Sequence, residues 1–294
     1  ATIQSVVAPT PAMVGHWLTG TASLADTANY IAPGLYNGAM VGGSASYFTN
    51  DVPPSAPSGA LSLRLVAAGI SISNTVPSDA GYVVDTFDGT IGNQFTVAFW
   101  AKGNLNSWDP WVSKNGESSG WQMRKLGWSG EGRPTFTMRG STGDADPFPT
   151  DPFDLNQWHY YAGTFDTATG TRNLYVDGKL ENQQTGQGPY TLASNSRLMI
   201  GARDTGSIGN YYTGNLYDVR IYNYALTQGQ IVTIGGVPPP FTSQVVGGQL
   251  VLTWPAGTLL QATNVLGPWT TNSSVSPATI DMTLPQQFFR VKVP

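Results

Sequence analysis

The chain has 294 residues, no cysteine, a formal net charge of −4 and only 11% charged residues, against about 25% in an average globular domain. Its solubility therefore rests on Asn, Thr, Ser and Gln, and its scattered Lys and Arg exclude the basic stripe that nucleic acid or an anionic membrane requires. A disulfide framework is excluded outright, which points to a bacterial protein held together by core size and metal instead of cross-links.

In chain order, the first strong signals are the strand-like GHW at Gly15, a polar loop LADTAN at Leu24 and the β-rich FTVAFWAKG at Phe95. Four tryptophans, Trp108, Trp111, Trp121 and Trp128, then fall close together. Within them GWQMRK alternates: Trp121 and Met123 face one side, Gln122 and Arg124 the other. PTFTMR repeats the pattern, with Phe136 and Met138 opposing Thr135, Thr137 and Arg139. As hairpin neighbours the two would present a polar stripe. The runs Trp158 to Phe165 and Arg172 to Val176 read as strands joined by a turn at Asp166 to Gly170, and Asp177-Gly178 closes the second run. Further strands are expected at Arg197 to Ile200 and Asn215 to Tyr222, with one or two helical turns over Tyr224 to Ile231. In these patterns Trp100 and Trp158 read as core.

The run Gly235 to Pro240 cannot continue a strand or helix and reads as a stiff linker. Beyond it QLVLTW, LLQATN with GPW, and QQFFRVKV give four or five short strands, too few residues for more than a marginal core. No apolar run approaches the roughly 20 residues that span a bilayer, so no membrane insertion is expected. Ala1 is compatible with earlier cleavage after an Ala-x-Ala site, which fits a secreted or cell-surface protein whose signal peptide has been removed.

Together, the Trp-His strand at Trp158, LYVDG from Leu174 and DVRIYNYAL from Asp218 resemble the C-terminal half of a laminin-G-like domain of the concanavalin A-like lectin and glucanase superfamily. GHW, LADTAN and FTVAFWAKG match the first half. The resemblance spans roughly Met13 to Ile234. It implies an all-β fold: a concanavalin A-like jelly-roll β-sandwich over residues 1–236, then the Pro-rich linker and a second, small all-β module over 237–294. It also implies a structural calcium ion (Ca2+) held by Asp26, Asn29 and Asp218, for which hard oxygen donors are suitable. The alternative at these positions is that Asp26 caps a turn and Asp218 pairs with an arginine such as Arg220 or Arg203.

Sugars offer apolar C–H faces and rings of hydroxyls, so glycan sites combine flat aromatic rings with planar hydrogen-bonding groups. The expected ligand-binding set is Trp108, Trp111, Trp128, Gln122, Arg124 and Arg139, with the core as the alternative place for Trp111. Arg124, Arg133 and Arg139 would suit an acidic polysaccharide, but six carboxylates share the region, and a neutral glycan is the first expectation. A glycosidase needs a carboxyl pair at defined separation, and the Glu-x-Asp-x-Glu strand of the superfamily's glucanases is missing. Candidate loop carboxylates are Glu117, Glu131, Asp144 and Asp146, while His16 and His159 read as structural. The expectation is a carbohydrate-binding, lectin-like protein recognising an extracellular polysaccharide, standing alone or beside other domains of a secreted complex. A glycoside hydrolase or polysaccharide lyase is the alternative, and a structural or adhesive surface protein the second.

Overall fold

The computed structural model describes residues 11–28, 36–72, 76–78, 81–83, 93–103, 108–115, 118–126, 132–139, 148–191, 197–282 and 286–292. The first strands are β1 (Met13–Trp17), β2 (Gly38–Thr49), β3 (Ser62–Ile72), the short pair β4 (Val76–Ser78) and β5 (Gly81–Val83), and β6 (Gln94–Lys102). They are followed by β7 (Pro110–Asn115), β8 (Gly120–Lys125), β9 (Pro134–Met138), β10 (His159–Asp166), β11 (Thr171–Val176) and β12 (Lys179–Gln184). The series closes with β13 (Leu198–Ile200), the pair β14 (Arg203–Asp204) and β15 (Ile208–Gly209), β16 (Tyr212–Tyr222) and helix α1 (Gln228–Gly235).

Twelve of these strands form one antiparallel sheet in the order β12-β11-β10-β6-β16-β3-β13-β7-β8-β9, with β1 added to β16 and β2 to β3. The sheet curls until its two halves face each other. Strand β3 belongs to both, since its first part pairs with β16 and its last residues, Ile70 to Ile72, pair with β13. Alternation along each strand then fills the space between the halves. Phe95, Val97 and Phe99 of β6 point inward with Tyr161 and Phe165 of β10, to meet Trp121, Met123 and Phe136 from the other half. The approach is close at Gly163, where a Cβ would lie 2.8 Å from the Phe136 ring and 2.9 Å from Met123 Sδ. The Asp177-Gly178 turn has positive φ at both positions, 50° and 78°, the backbone that a tight two-residue hairpin demands.

The outer face of the first half carries Ala98, Trp100, Tyr160, Ala162, Tyr175 and Tyr217, and α1 covers it with Ile231 and Val232. The helix starts four residues later than the apolar pattern at Tyr224 suggests, because Thr227 closes a capping box with Gln230. Its hydroxyl oxygen accepts from Gln230 N while Gln230 Oε1 accepts from Thr227 N, satisfying two of the donors a helix start leaves open. Val237 is also buried against this cluster, so the packing of the large unit reaches one residue past 236.

The C-terminal segment adds β17 (Thr242–Val246), β18 (Gln249–Thr253), β19 (Thr258–Ala262), β20 (Thr270–Thr271), β21 (Ala278–Ile280) and β22 (Phe288–Lys292). They make two three-stranded sheets, β17-β18-β21 and β20-β19-β22, over a small core of Leu252, Trp254, Leu259, Ala278 and Ile280. Gly163→Ala should cost about 1–3 kcal/mol through overpacking, read as a lower urea midpoint. An unchanged midpoint would mean that the halves are not in contact there.

Candidate functional site

The β8–β9 hairpin forms with Gln122 opposite Thr137 and Arg124 opposite Thr135, and Ser113 of β7 lies beside Gln122. The polar row on the outer face of the second half is thus assembled as its alternation predicts. It does not face water, however: Gln122, Thr135 and Thr137 have no exposed surface and Arg124 retains 3%. Arg124 Nη1 donates to Gln122 Oε1 at 3.3 Å, and its guanidinium lies 4.7 Å from the centre of the Trp108 ring. Trp108 is half-buried with φ of 70°, a conformation that bulky side chains seldom adopt and that surrounding structure must enforce. Arg139 is half-buried at the end of β9.

Trp111 is not at the surface. It is 1% exposed and stacks on Tyr161 with ring centres 4.6 Å apart. The register of β7 against β8 shifts between Pro110 and Val112, and this bulge breaks the two-residue alternation so that Trp111 and Val112 both join the core. Asp109, also buried, lies near Lys125 and Arg203. Burial lowers the pKa of both cations and the Asp109 carboxylate partly restores it. Trp128, Glu117, Glu131, Asp144 and Asp146 lie outside the described residues.

Asp26 and Asp218 are bridged by His16. Asp26 Oδ1 accepts from the backbone N–H groups of His16 and Ala28 at 2.9 and 3.0 Å, a turn cap. His16 Nε2 lies 2.7 Å from Asp218 Oδ1, and the same oxygen accepts from Arg220 Nε at 2.8 Å. Burial would raise the Asp218 pKa, but these two partners hold it below the usual carboxylate value. Asn29 lies outside the described residues, and among those described no group of three or more acidic, histidine or cysteine side chains is arranged around a common point. Asp218 Oδ1 is thus engaged by both the His16 imidazole and the Arg220 guanidinium.

The second histidine also has an aspartate. His159 Nδ1 lies 2.7 Å from Asp177 Oδ2, while Asp177 Oδ1 accepts from Tyr160 N at 2.8 Å. Burial pulls the His159 pKa down, but Asp177 and Asp154 together outweigh it and the net shift is upward from 6.5. Stability from this pair is therefore full below pH 6.5 and is lost as pH rises through the raised folded value. Asp177→Asn keeps a residue that tolerates the left-handed backbone and removes the charge. Denaturant midpoints at mildly acid and alkaline pH should converge in this variant; an undiminished pH dependence would place its origin elsewhere.

A third polar group was not singled out by sequence. Asp51, in the loop after β2, accepts from Lys102 Nζ at 3.0 and 2.9 Å and from Trp158 Nε1 at 2.9 Å. Its backbone oxygen accepts from Ser62 Oγ at 2.6 Å. Buried Asn215 donates to Ser62 Oγ at 3.2 Å and accepts from Arg64 Nη1 at 3.0 Å. The signal available in the sequence was the polar residues set within three otherwise apolar runs: Ser62 and Arg64 in SLRL, Lys102 in FWAK and Asn215 in GNLY.

Compared with known proteins, the model of laminin-G-type domains, described as the concanavalin A-like lectin/glucanases superfamily, matches residues 77–232. No curated protein matches the chain in sequence. Among solved structures it is similar to domain 4 of AbnA, a GH43 extracellular arabinanase from Geobacillus stearothermophilus, determined in complex with arabinotriose. The TM-score is 0.56 at 18% identity, over 77% of this chain and 99% of that one. The binding domain of Paraclostridial Mosquitocidal Protein 1 is similar with a TM-score of 0.51 at 13% identity, over 95% of this chain and 73% of that one. At these identities the likeness is one of fold.

Proposed function

Because the chain belongs to the laminin-G-like domains of the concanavalin A-like lectin/glucanases superfamily, we propose that it is a secreted protein that binds an extracellular polysaccharide at the Trp108–Arg124 cluster. The observation that carries this reading is the guanidinium of Arg124 set 4.7 Å over the half-buried indole of Trp108 and tied to Gln122 from behind. A half-buried indole held in a fixed orientation by a buried guanidinium is the aromatic platform that a sugar's C–H face needs. Buried Arg124 holds the Trp108 ring in place before a ligand arrives, so the entropy of ordering that ring is not lost again on binding.

The similar arabinanase domain, solved with arabinotriose, makes arabinan the first polysaccharide to try. Binding would be followed by affinity electrophoresis against arabinan, xylan and β-glucan, with calcium and with chelator, and reducing ends measured in parallel. Trp108→Asn, which suits the left-handed backbone, should weaken binding by about 2 kcal/mol, roughly thirtyfold. Arg124→Gln should weaken it in the same direction. Wild-type affinity in both variants would dismiss this cluster as the site, and new reducing ends would replace binding with hydrolysis.

A further inference from the structure

Cross-strand register places Tyr47 opposite Arg64, Arg64 opposite Asn215, and Asn215 opposite Lys102. One step beyond the His159–Ala101 pair, Trp158 continues the line. Directly opposed residues share a face, so these five side chains form a row across β2, β3, β16, β6 and the start of β10. They lie on the outer face of the first half, beyond the part that α1 covers. With adjacent strands about 4.8 Å apart, the row is roughly 19 Å long, the reach of a short oligosaccharide lying across the strands.

The row divides by its contacts. Asp51 gathers Lys102, Trp158 and Asn215 and ties the loop after β2 onto the sheet, which is a structural task. Arg64 and Tyr47 hold nothing comparable. The Arg64 guanidinium is half-buried, makes one hydrogen bond, to Asn215 Oδ1, and has no carboxylate partner among the described residues. Tyr47 is 56% exposed beside it. In a chain with only 14 basic residues and a net charge of −4, an arginine aligned by a buried amide, its other donors without a partner among the described residues, is poised for an anion. A guanidinium fork takes a carboxylate or sulfate through two parallel hydrogen bonds, and the adjacent phenol ring supplies the apolar surface for the sugar that carries it.

We propose that Tyr47 and Arg64 form a second glycan site, separate from the Trp108–Arg124 cluster, that takes an anionic polysaccharide. Asn215 aligns the arginine. The charge on the ligand is a uronate carboxylate or a sulfate ester, and the choice of probe separates the two.

The full chain would be titrated calorimetrically with polygalacturonate oligomers and, separately, with dextran sulfate. Binding of one or both is expected, weakened by added salt as a charge contact at the surface must be. Arg64→Gln and Tyr47→Ala should each reduce affinity on the order of tenfold or more with melting temperature unchanged, since neither side chain anchors the loop. Trp108→Asn should leave anionic binding intact, so that loss of the neutral site and loss of this one are read separately. Preference for polygalacturonate assigns the carboxylate, and preference for dextran sulfate the sulfate. Wild-type affinity in Arg64→Gln, or no binding of either polymer by the unaltered chain, would overturn the proposal.

Discussion

Phe95 is the point at which the two halves of the sheet are joined. Its ring meets Trp121 and Phe136 of the second half at 5.1 and 5.8 Å, and Phe165 and Tyr190 at 5.8 and 6.0 Å. Edge and tilted aromatic pairs each add about 0.5–1.5 kcal/mol beyond the area they bury. With no disulfide to restrict the unfolded chain, closure of the sandwich depends on such contacts and on the glycine at 163 that lets the layers come together. Every outward-facing residue takes its position from that closure.

The outer faces are finished in different ways, and the difference determines where chemistry is found. On the first half, apolar and aromatic residues are sealed beneath α1, and a polar group lies at the end where Asp51 binds Lys102 and Trp158. On the second half the outward row is itself polar, yet Gln122, Arg124, Thr135 and Thr137 are withdrawn from water. Polar groups held in this way interact more strongly than solvated ones because the local dielectric is low. Both proposed contacts use an arginine fixed by a neighbouring amide, Gln122 in one case and Asn215 in the other.

Much of the fold was legible in the sequence because its signals are local. Two-residue alternation gave the strands around Phe95, Trp121 and Phe136, and the Asp-Gly turn gave the β11–β12 hairpin. Trp111 was misplaced because a bulge shifts alternation by one position, and composition does not reveal a bulge. At Asp218 both a metal and an arginine pairing were legible; the geometry shows the Arg220 contact, formed by two residues in one strand. The Tyr47–Arg64–Asn215–Lys102 row was legible only as isolated polar residues, not as a row. Its members come from segments that meet only through strand order, and no pattern along a single strand records who its neighbours will be.

The same strand order bears on how the chain is made. Strand β16 occupies the middle of the sheet, between β6 and β3, and β1 pairs with it as well, yet it is the last strand of the sandwich to leave the ribosome. Until Tyr222 has emerged, β1 has no partner, and the facing edges of β3 and β6 present unpaired backbone groups to any other strand nearby. The pairing that completes them spans most of the domain's length, and contacts of such high order form slowly. The sandwich is therefore most exposed to aggregation during synthesis, when every part of its aromatic core except the central strand is already present.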